Sequence, residues 1–365
     1  MPAYDVGITE INTQVRRLGY VSAILSILSN RTFNETLLLD RLQNWSVEHK
    51  SELAEYVNTQ GEIKPTRRKT AAKRYLNFSV SLGIVGRIAG ACRVTRFGKI
   101  LLPFLGEKKS NNRFLLDLPE RCFYLYWLLV HDSDRMMTVL DMLTKSSGQT
   151  LACYQREFQE YYLHRLDIRI SAETGRIARE MLALRNRVAH EWRQPERYAE
   201  SIVPPRINWL VDLGLARISM TRGTPAELTP EGVRLTNELP QLDSSDIHDV
   251  KPIWLRQAFF TTASHLFGYE GKIEWQSMAW TDKKTLLDSL IPNTFSTLRS
   301  TPARKVTLFP ALFHMALHLA ETHHIWANME EIQVDLEQHS KEVDSRYEVR
   351  FSHRENESYL IAKPL

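Results

Sequence analysis

RYLNFSVSLGIVGRIAGACRVTRFGKIL, residues 74–101, and RINWLVDLGLARISMTRGTPAELTPEGVRL, residues 206–235, carry the same signals in the same order. Each opens with apolar residues at helical spacing and reaches a Leu-Gly-aliphatic step: Leu82-Gly83-Ile84 and Leu213-Gly214-Leu215. A short polar hairpin containing glycine follows. Each then closes on apolar-Thr-x-x-Gly, Val94 to Gly98 and Leu228 to Gly232. Glycine stops a helix because it enters the left-handed conformation without a Cβ clash. Thr95 and Thr229 are placed to cap a following helix, and Pro230 suits its first position. Gly86 and Gly90, and Gly223 before Pro225, permit hairpin turns.

This double phrase resembles the end of a winged helix-turn-helix domain: recognition helix, two-stranded wing, then the opening of a further helix. The resemblance implies duplex DNA binding or protein docking. Neither task requires catalytic residues.

At 365 residues the chain has room for two or three domains with cores of their own. Neither a basic-then-apolar leader nor an apolar run near 18 residues is visible, so membrane crossing and export are not expected. Cys92, Cys122 and Cys153 offer neither a disulfide framework nor paired zinc spacing, which fits a reducing cytoplasm. The net charge of +4 conceals an asymmetry. Residues 1–109 hold 17 Lys and Arg against 9 Asp and Glu; the remainder holds 30 against 34. A basic end on a mildly acidic remainder points to nucleic acid at one end and other partners elsewhere.

The expected fold is mainly α with small β-hairpin wings, built as tandem winged-helix units around a helical middle segment. A basic N-terminal winged-helix domain is expected over 1–109, with helices at 14–29, from Asn34, and over 46–61. Its recognition helix opens at Pro65, and a closing helix covers about 95–105. EKKSNN, 107–112, reads as a linker. Residues 113–170 read as a helical segment rich in aromatics. A second winged-helix domain spans 171–241 and begins with a long helix capped by Ser171. A linker at 242–252 leads to a helical connector over 253–300. A third winged-helix domain is expected over 303–365 from the order helix, helix, hairpin, although the Leu-Gly step is absent.

On a helix at about 100° per residue, Ala71, Tyr75, Phe78 and Leu82 form a core stripe. Thr66, Lys69, Thr70, Lys73 and Asn77 form the opposite stripe, with Arg67 and Arg74 on one flank. Long cations on such a face reach phosphates or guanine edges, while Thr and Asn suit base edges. Arg87, Arg93 and Arg96, in and after the wing, are placed to grip the flanking backbone. The corresponding helix of the second unit offers Arg206 and Asn208 but also Asp212. That of the third carries Glu330, Glu331, Asp335 and Glu337, which phosphates repel. These two units are expected to dock proteins, or to touch DNA through hairpin cations alone: Arg222, Arg350 and Arg354.

Two other patterns carry chemistry. Arg185-Asn186-Arg187-Val188-Ala189-His190 is similar to the Arg-x4-His phrase of the HEPN family, whose RNase members pair Arg and His across a dimer. The resemblance implies His190 as acid/base and Arg185 as the stabiliser of phosphate charge in a metal-independent RNase. The chain departs from that family after the His, where Gln194-Pro195 interrupts the helix. His314 and His318 lie one helical turn apart with Glu321 beyond, a spacing able to hold zinc, but apolar residues surround them. The blander alternative is a helix with histidines near its C-terminal end, and no metal or cofactor is assigned. No phosphate loop, dinucleotide fingerprint or nucleophile elbow appears.

The expected function is therefore non-enzymatic. The N-terminal unit binds double-stranded DNA, and the rest couples it to other protein subunits or to a second copy of the chain. Such a protein serves as a regulator or as the DNA-engaging subunit of a complex; phage-defence and mobile-element systems use similar architectures. The alternatives are the HEPN-type RNase and a purely structural docking adaptor.

Overall fold

The computed structural model describes residues 15–56, 60–106, 108–219, 223–242, 247–299 and 304–363. Among them sixteen helices accompany ten short strands, so the protein is mainly helical with small sheets.

The chain begins with α1 (Gly19–Leu28), β1 (Phe33–Asn34), α2 (Glu35–Glu48) and α3 (Lys50–Tyr56). Then come α4 (Thr70–Ser81), β2 (Val85–Ile88) and β3 (Ala91–Val94). Asn34 caps α2 by accepting the Thr36 N–H at 2.9 Å. The three strands form an antiparallel sheet ordered β1-β3-β2. Ala89 and Gly90 turn the β2–β3 hairpin with φ of 48° and 76°, the left-handed pair that matches strand twist.

Two expectations are corrected here. α4 opens at Thr70, not Pro65, because Thr66 accepts the Lys69 N–H through its carbonyl and hydroxyl, and Lys69 is left-handed at φ 52°. The helix expected over 95–105 is two single 3-10 turns, Gly98–Ile100 and Leu102–Phe104. Pro103 has no N–H with which to continue an α-helix.

The repeated phrase has an atomic explanation. The Ile84 and Leu215 N–H groups close the preceding helix on Ser79 and Leu210 carbonyls. Thr95 and Thr229 return the chain by donating backbone N–H to Ile84 and Leu215 carbonyls, each at 3.0 Å. Their hydroxyls also donate to Gly83 and Gly214 carbonyls, at 2.6 and 2.8 Å. A Cβ at Gly98 would lie 2.4 Å from the Ile84 oxygen, and one at Gly232 2.0 Å from the Leu215 oxygen. Each conserved-order residue therefore ties the helix end to the far side of its hairpin.

The middle contains α5 (Leu118–His131), α6 (Ser133–Lys145), α7 (Leu151–Ala172) and α8 (Gly175–His190). It continues with α9 (Pro195–Ala199), α10 (Val203–Asp212), β4 (Ala216–Ile218), β5 (Ala226–Leu228) and α11 (Pro230–Glu238). Ser171 does not start a helix. It lies within α7, its hydroxyl bonded to the Asp167 carbonyl one turn back, and the break falls at Glu173–Thr174. Thr150 caps α7 and also bridges Pro225 at the edge of the β4–β5 hairpin.

The last part contains α12 (Pro252–Gln257), α13 (Phe259–Phe267), β6 (Ile273–Glu274), α14 (Trp280–Leu298) and β7 (Lys305–Thr307). It ends with α15 (Leu308–His318), β8 (Ile325–Trp326), α16 (Met329–Ser340), β9 (Tyr347–Ser352) and β10 (Glu357–Ala362). The antiparallel sheet is ordered β7-β10-β9. Thus α14-β7-α15-α16-β9-β10 repeats the connectivity of α1-β1-α2-α4-β2-β3, with the last strand central in both sheets.

Packing joins these parts. α5 is buried almost all round and brings Phe123, Tyr126 and Trp127 against Phe259, Phe309 and Phe313. Each such ring contributes roughly 1.5–3 kcal/mol by leaving water. α10 is likewise enclosed, with Trp209 stacked on Phe78 of α4 at 4.7 Å. The segment expected as a linker is anchored at Lys108, whose ammonium is buried on Glu120 at 2.8 Å; Glu107 lies outside the described residues.

Candidate nucleic-acid interface

α4 is amphipathic for the reason its sequence suggests. Ala72, Tyr75, Leu76, Phe78 and Ser79 are buried, while Thr70 and Lys73 face solvent. Thr66, Arg67 and Arg68 extend this exposed surface on the turn before the helix. Arg74 and Asn77 are half-buried along its edge. Arg68 had no place in the sequence reading because a helix from Pro65 turns it off the presumed stripe. The true start at Thr70 leaves it exposed beside Arg67.

Neighbouring side chains engage part of this surface. Lys69 is held by Asp40 at 2.5 Å and by the Thr36 carbonyl at 3.3 Å, both on α2. Glu35, at the start of α2, lies 3.9 Å from Lys73 and 3.6 Å from Arg87. Arg87 also donates to the Asn77 side chain at 3.0 Å. The structure therefore gathers Lys73 and Arg87 around one carboxylate, with Asn77 bonded to Arg87. Thr66, Arg67 and Thr70 stand clear of it.

The hairpin cations separate. Arg87 pairs across the hairpin with buried Cys92, so it shares the helix-facing side of the sheet. Arg93 pairs with Gly86 and faces the other side. Arg96 reaches the third sheet, gripping Glu357 with two hydrogen bonds of 2.7 and 3.0 Å and Thr307 at 3.2 Å.

α10 presents no reading surface. Arg206 and Asn208 are wholly buried; Arg206 is clamped on Asp132 at 2.6 Å and on the Ile202 carbonyl. Burial pushes the Arg206 guanidinium below its ordinary pKa, opposed by the Asp132 charge. This corrects the idea that Arg206 and Asn208 face a ligand; tertiary packing covers the helix. Arg222 lies outside the described residues. On α16, Glu331 bonds Gln276, and Asp335 bonds the Trp275 indole and Lys283. Arg350 pairs with Glu348, and Arg354 is exposed in the β9–β10 turn.

Arg185 is held within the chain by Asp167 of α7 at 2.9 Å, which pushes its pKa up. His190 is exposed at the last residue of α8. His314 is buried, shares a 3.2 Å hydrogen bond with Thr294, and is pushed down to about 3 by burial and by His318. Among the described residues no cluster of three or more His, Cys, Asp or Glu is arranged to hold a metal ion. No described helix is long and apolar enough to cross a membrane.

One cavity was not legible in the sequence. It is a cleft of about 1180 Å³ between the outer face of β2–β3 and the end of α14 with β7. Its cations come from residues as distant as Arg31 and Arg299, so no local motif announces it. No protein-family model matches this chain, and no curated protein sequence is similar to it.

Proposed function

We propose that residues 15–105 form a winged helix that binds duplex DNA, with α4 as the recognition helix and β2–β3 as the wing. The carrying observation is the solvent side of α4, where Arg67, Arg68, Thr70 and Lys73 are exposed with Asn77 at the edge. This surface belongs to the helix that precedes a sheet ordered β1-β3-β2. The helix N-terminus adds positive potential where Arg67 and Arg68 approach. The parts around α10 and α14–β10 are two further units of winged-helix type. The burial of α10 and the acidic surface of α16 support docking and structural roles for them.

The protein is then a non-enzymatic, cytoplasmic regulator or the DNA-engaging subunit of a complex. Protein partners are supported by α8, which packs chiefly along α7 and leaves Ile177 and Leu182 nearly half exposed. The test is fluorescence anisotropy of a labelled duplex across a salt series. Each phosphate contact contributes about 0.9 to the slope of log K against log salt. The triple variant Arg67→Ala, Arg68→Ala, Lys73→Ala is expected to bind weakly with a slope smaller by about 2.7. Duplex binding indistinguishable from wild type would leave the adaptor reading in its place.

A further inference from the structure

The register of the β2–β3 hairpin divides its side chains. Arg87 and Cys92 share the side packed on the helices, whereas Gly86, Ile88, Ala91 and Arg93 share the other. That second side is one wall of the 1180 Å³ cleft, and the end of α14 with β7 is the opposite wall. The cleft thus lies behind the wing, away from α4.

Its charge is one-sided. Arg31, Arg93, Arg96, Lys99, Arg299 and Lys305 line it, and no Asp or Glu does so among the described residues. Arg96 is tied to Glu357, which joins the two sheets, and Lys305 to Glu355 within the β7-β10-β9 sheet. Arg31, Arg93, Lys99 and Arg299 make no ion pair or side-chain hydrogen bond among the described residues. Four uncompensated like charges repel one another across a shared cavity, and a polyanion placed between them converts that repulsion into attraction. Ser29, Thr32 and Thr297 add hydroxyl donors suited to phosphate oxygens.

Shape narrows the ligand. The volume slightly exceeds the usual range of small-molecule sites, about 300–1,000 Å³, and the cleft is walled on two sides. A duplex needs an open face such as that of α4; a slot between two sheets admits one strand. Among the described lining residues Tyr359 is the only aromatic, and it is mostly buried, so they supply no stacking platform for bases. Recognition therefore falls on the backbone.

We propose that this cleft binds a single strand of nucleic acid through its phosphates, at a site separate from the α4 surface. The arrangement lets one molecule hold a duplex on one side of the wing and an unpaired strand on the other. The single-strand site stands whether or not α4 reads DNA, because the two surfaces share no free cation.

The test uses the full chain and a fluorescein-labelled oligothymidylate, titrated by anisotropy across a salt series. Arg93→Gln, Lys99→Gln and Arg299→Gln together are expected to weaken binding and to reduce the salt slope by about 2, at about 0.7 per phosphate on a single strand. The α4 triple variant is expected to keep oligothymidylate binding. Arg93 and Arg299 are exposed, so the fold should tolerate their loss; the pair Arg31→Gln, Arg299→Gln, which spares the hairpin and half-buried Lys99, checks this independently. Inorganic tripolyphosphate serves as the competitor. Displacement only at concentrations far above that of the strand supports a polymer site. Equal binding by the cleft variants and wild type, or tripolyphosphate binding as tightly as the strand, overturns the proposal.

Discussion

Arg17 and Asp212, 195 residues apart in sequence, form a fully buried ion pair at 2.9 Å. Asp212 also accepts the Leu18 N–H at 2.7 Å, and Trp209 donates its indole N–H to the Val15 carbonyl at 3.0 Å. α10 is thereby welded to the start of the N-terminal unit. Removing one member of a buried pair leaves an uncompensated charge, at a cost of about 3–5 kcal/mol. Arg17→Met is expected to lower stability by that order in a denaturant titration. A fragment ending at residue 109 is expected to lose cooperativity or to associate, because it exposes Arg17 and Phe78 together. A sharp unfolding transition in that fragment, equal in midpoint to the full chain, would show the interface to be dispensable.

The same pair sets a pH dependence. Burial pushes the Asp212 carboxyl up from 3.8 to about 6, against the pull of Arg17 and the Leu18 N–H. A carboxyl raised in the folded state binds its proton more tightly there than when unfolded. Its contribution is therefore complete below about pH 4 and lost as pH rises through about 6. The stability advantage of wild type over Asp212→Asn is expected to shrink as pH rises across that window. An advantage that instead grows with pH would show that Arg17 holds the carboxyl below its ordinary value.

Two glycines test the repeated phrase. Gly98→Ala and Gly232→Ala place a methyl within 2.4 and 2.0 Å of a backbone oxygen. Overpacking of this kind costs about 1–3 kcal/mol. Gly86→Ala is the control, since its nearest neighbour is a Thr95 methyl at 3.6 Å. Thermal unfolding should rank the two phrase variants well below the control; equal midpoints for all three would deny these close approaches a structural role.

Lys69 and Lys73 are one turn apart yet differ in partner. Lys69 is engaged by Asp40, whereas Lys73 is exposed at 3.9 Å from Glu35. Lys73→Ala is expected to reduce the salt slope of duplex binding by about 0.9, and Lys69→Ala to leave it nearly unchanged. The reverse order would move the DNA surface toward α2.

For the Arg-x4-His phrase, Arg185 already has a partner in Asp167. Purified protein is expected not to cleave single-stranded RNA without metal, and His190→Ala to behave as wild type. Cleavage abolished by both Arg185→Ala and His190→Ala would restore the RNase reading.

The sequence by itself determined local geometry. Leu82-Gly83-Ile84 and Thr95-x-x-Gly98 announced a helix stop and a returning hairpin, and Leu213 to Gly232 announced them again, because these interactions close within about 20 residues. The amphipathic face of α4 was legible for the same reason, although its start was misplaced by a turn that Thr66 makes with Lys69. Tertiary structure decided which faces remain available. Arg206 and Asn208 read as a polar helix face, yet both are wholly buried, Arg206 against Asp132. Arg93 read as a wing cation and Arg299 carried no reading, yet one cleft brings them together. Burial and charge convergence depend on contacts between residues far apart in the chain, and no local spacing encodes them.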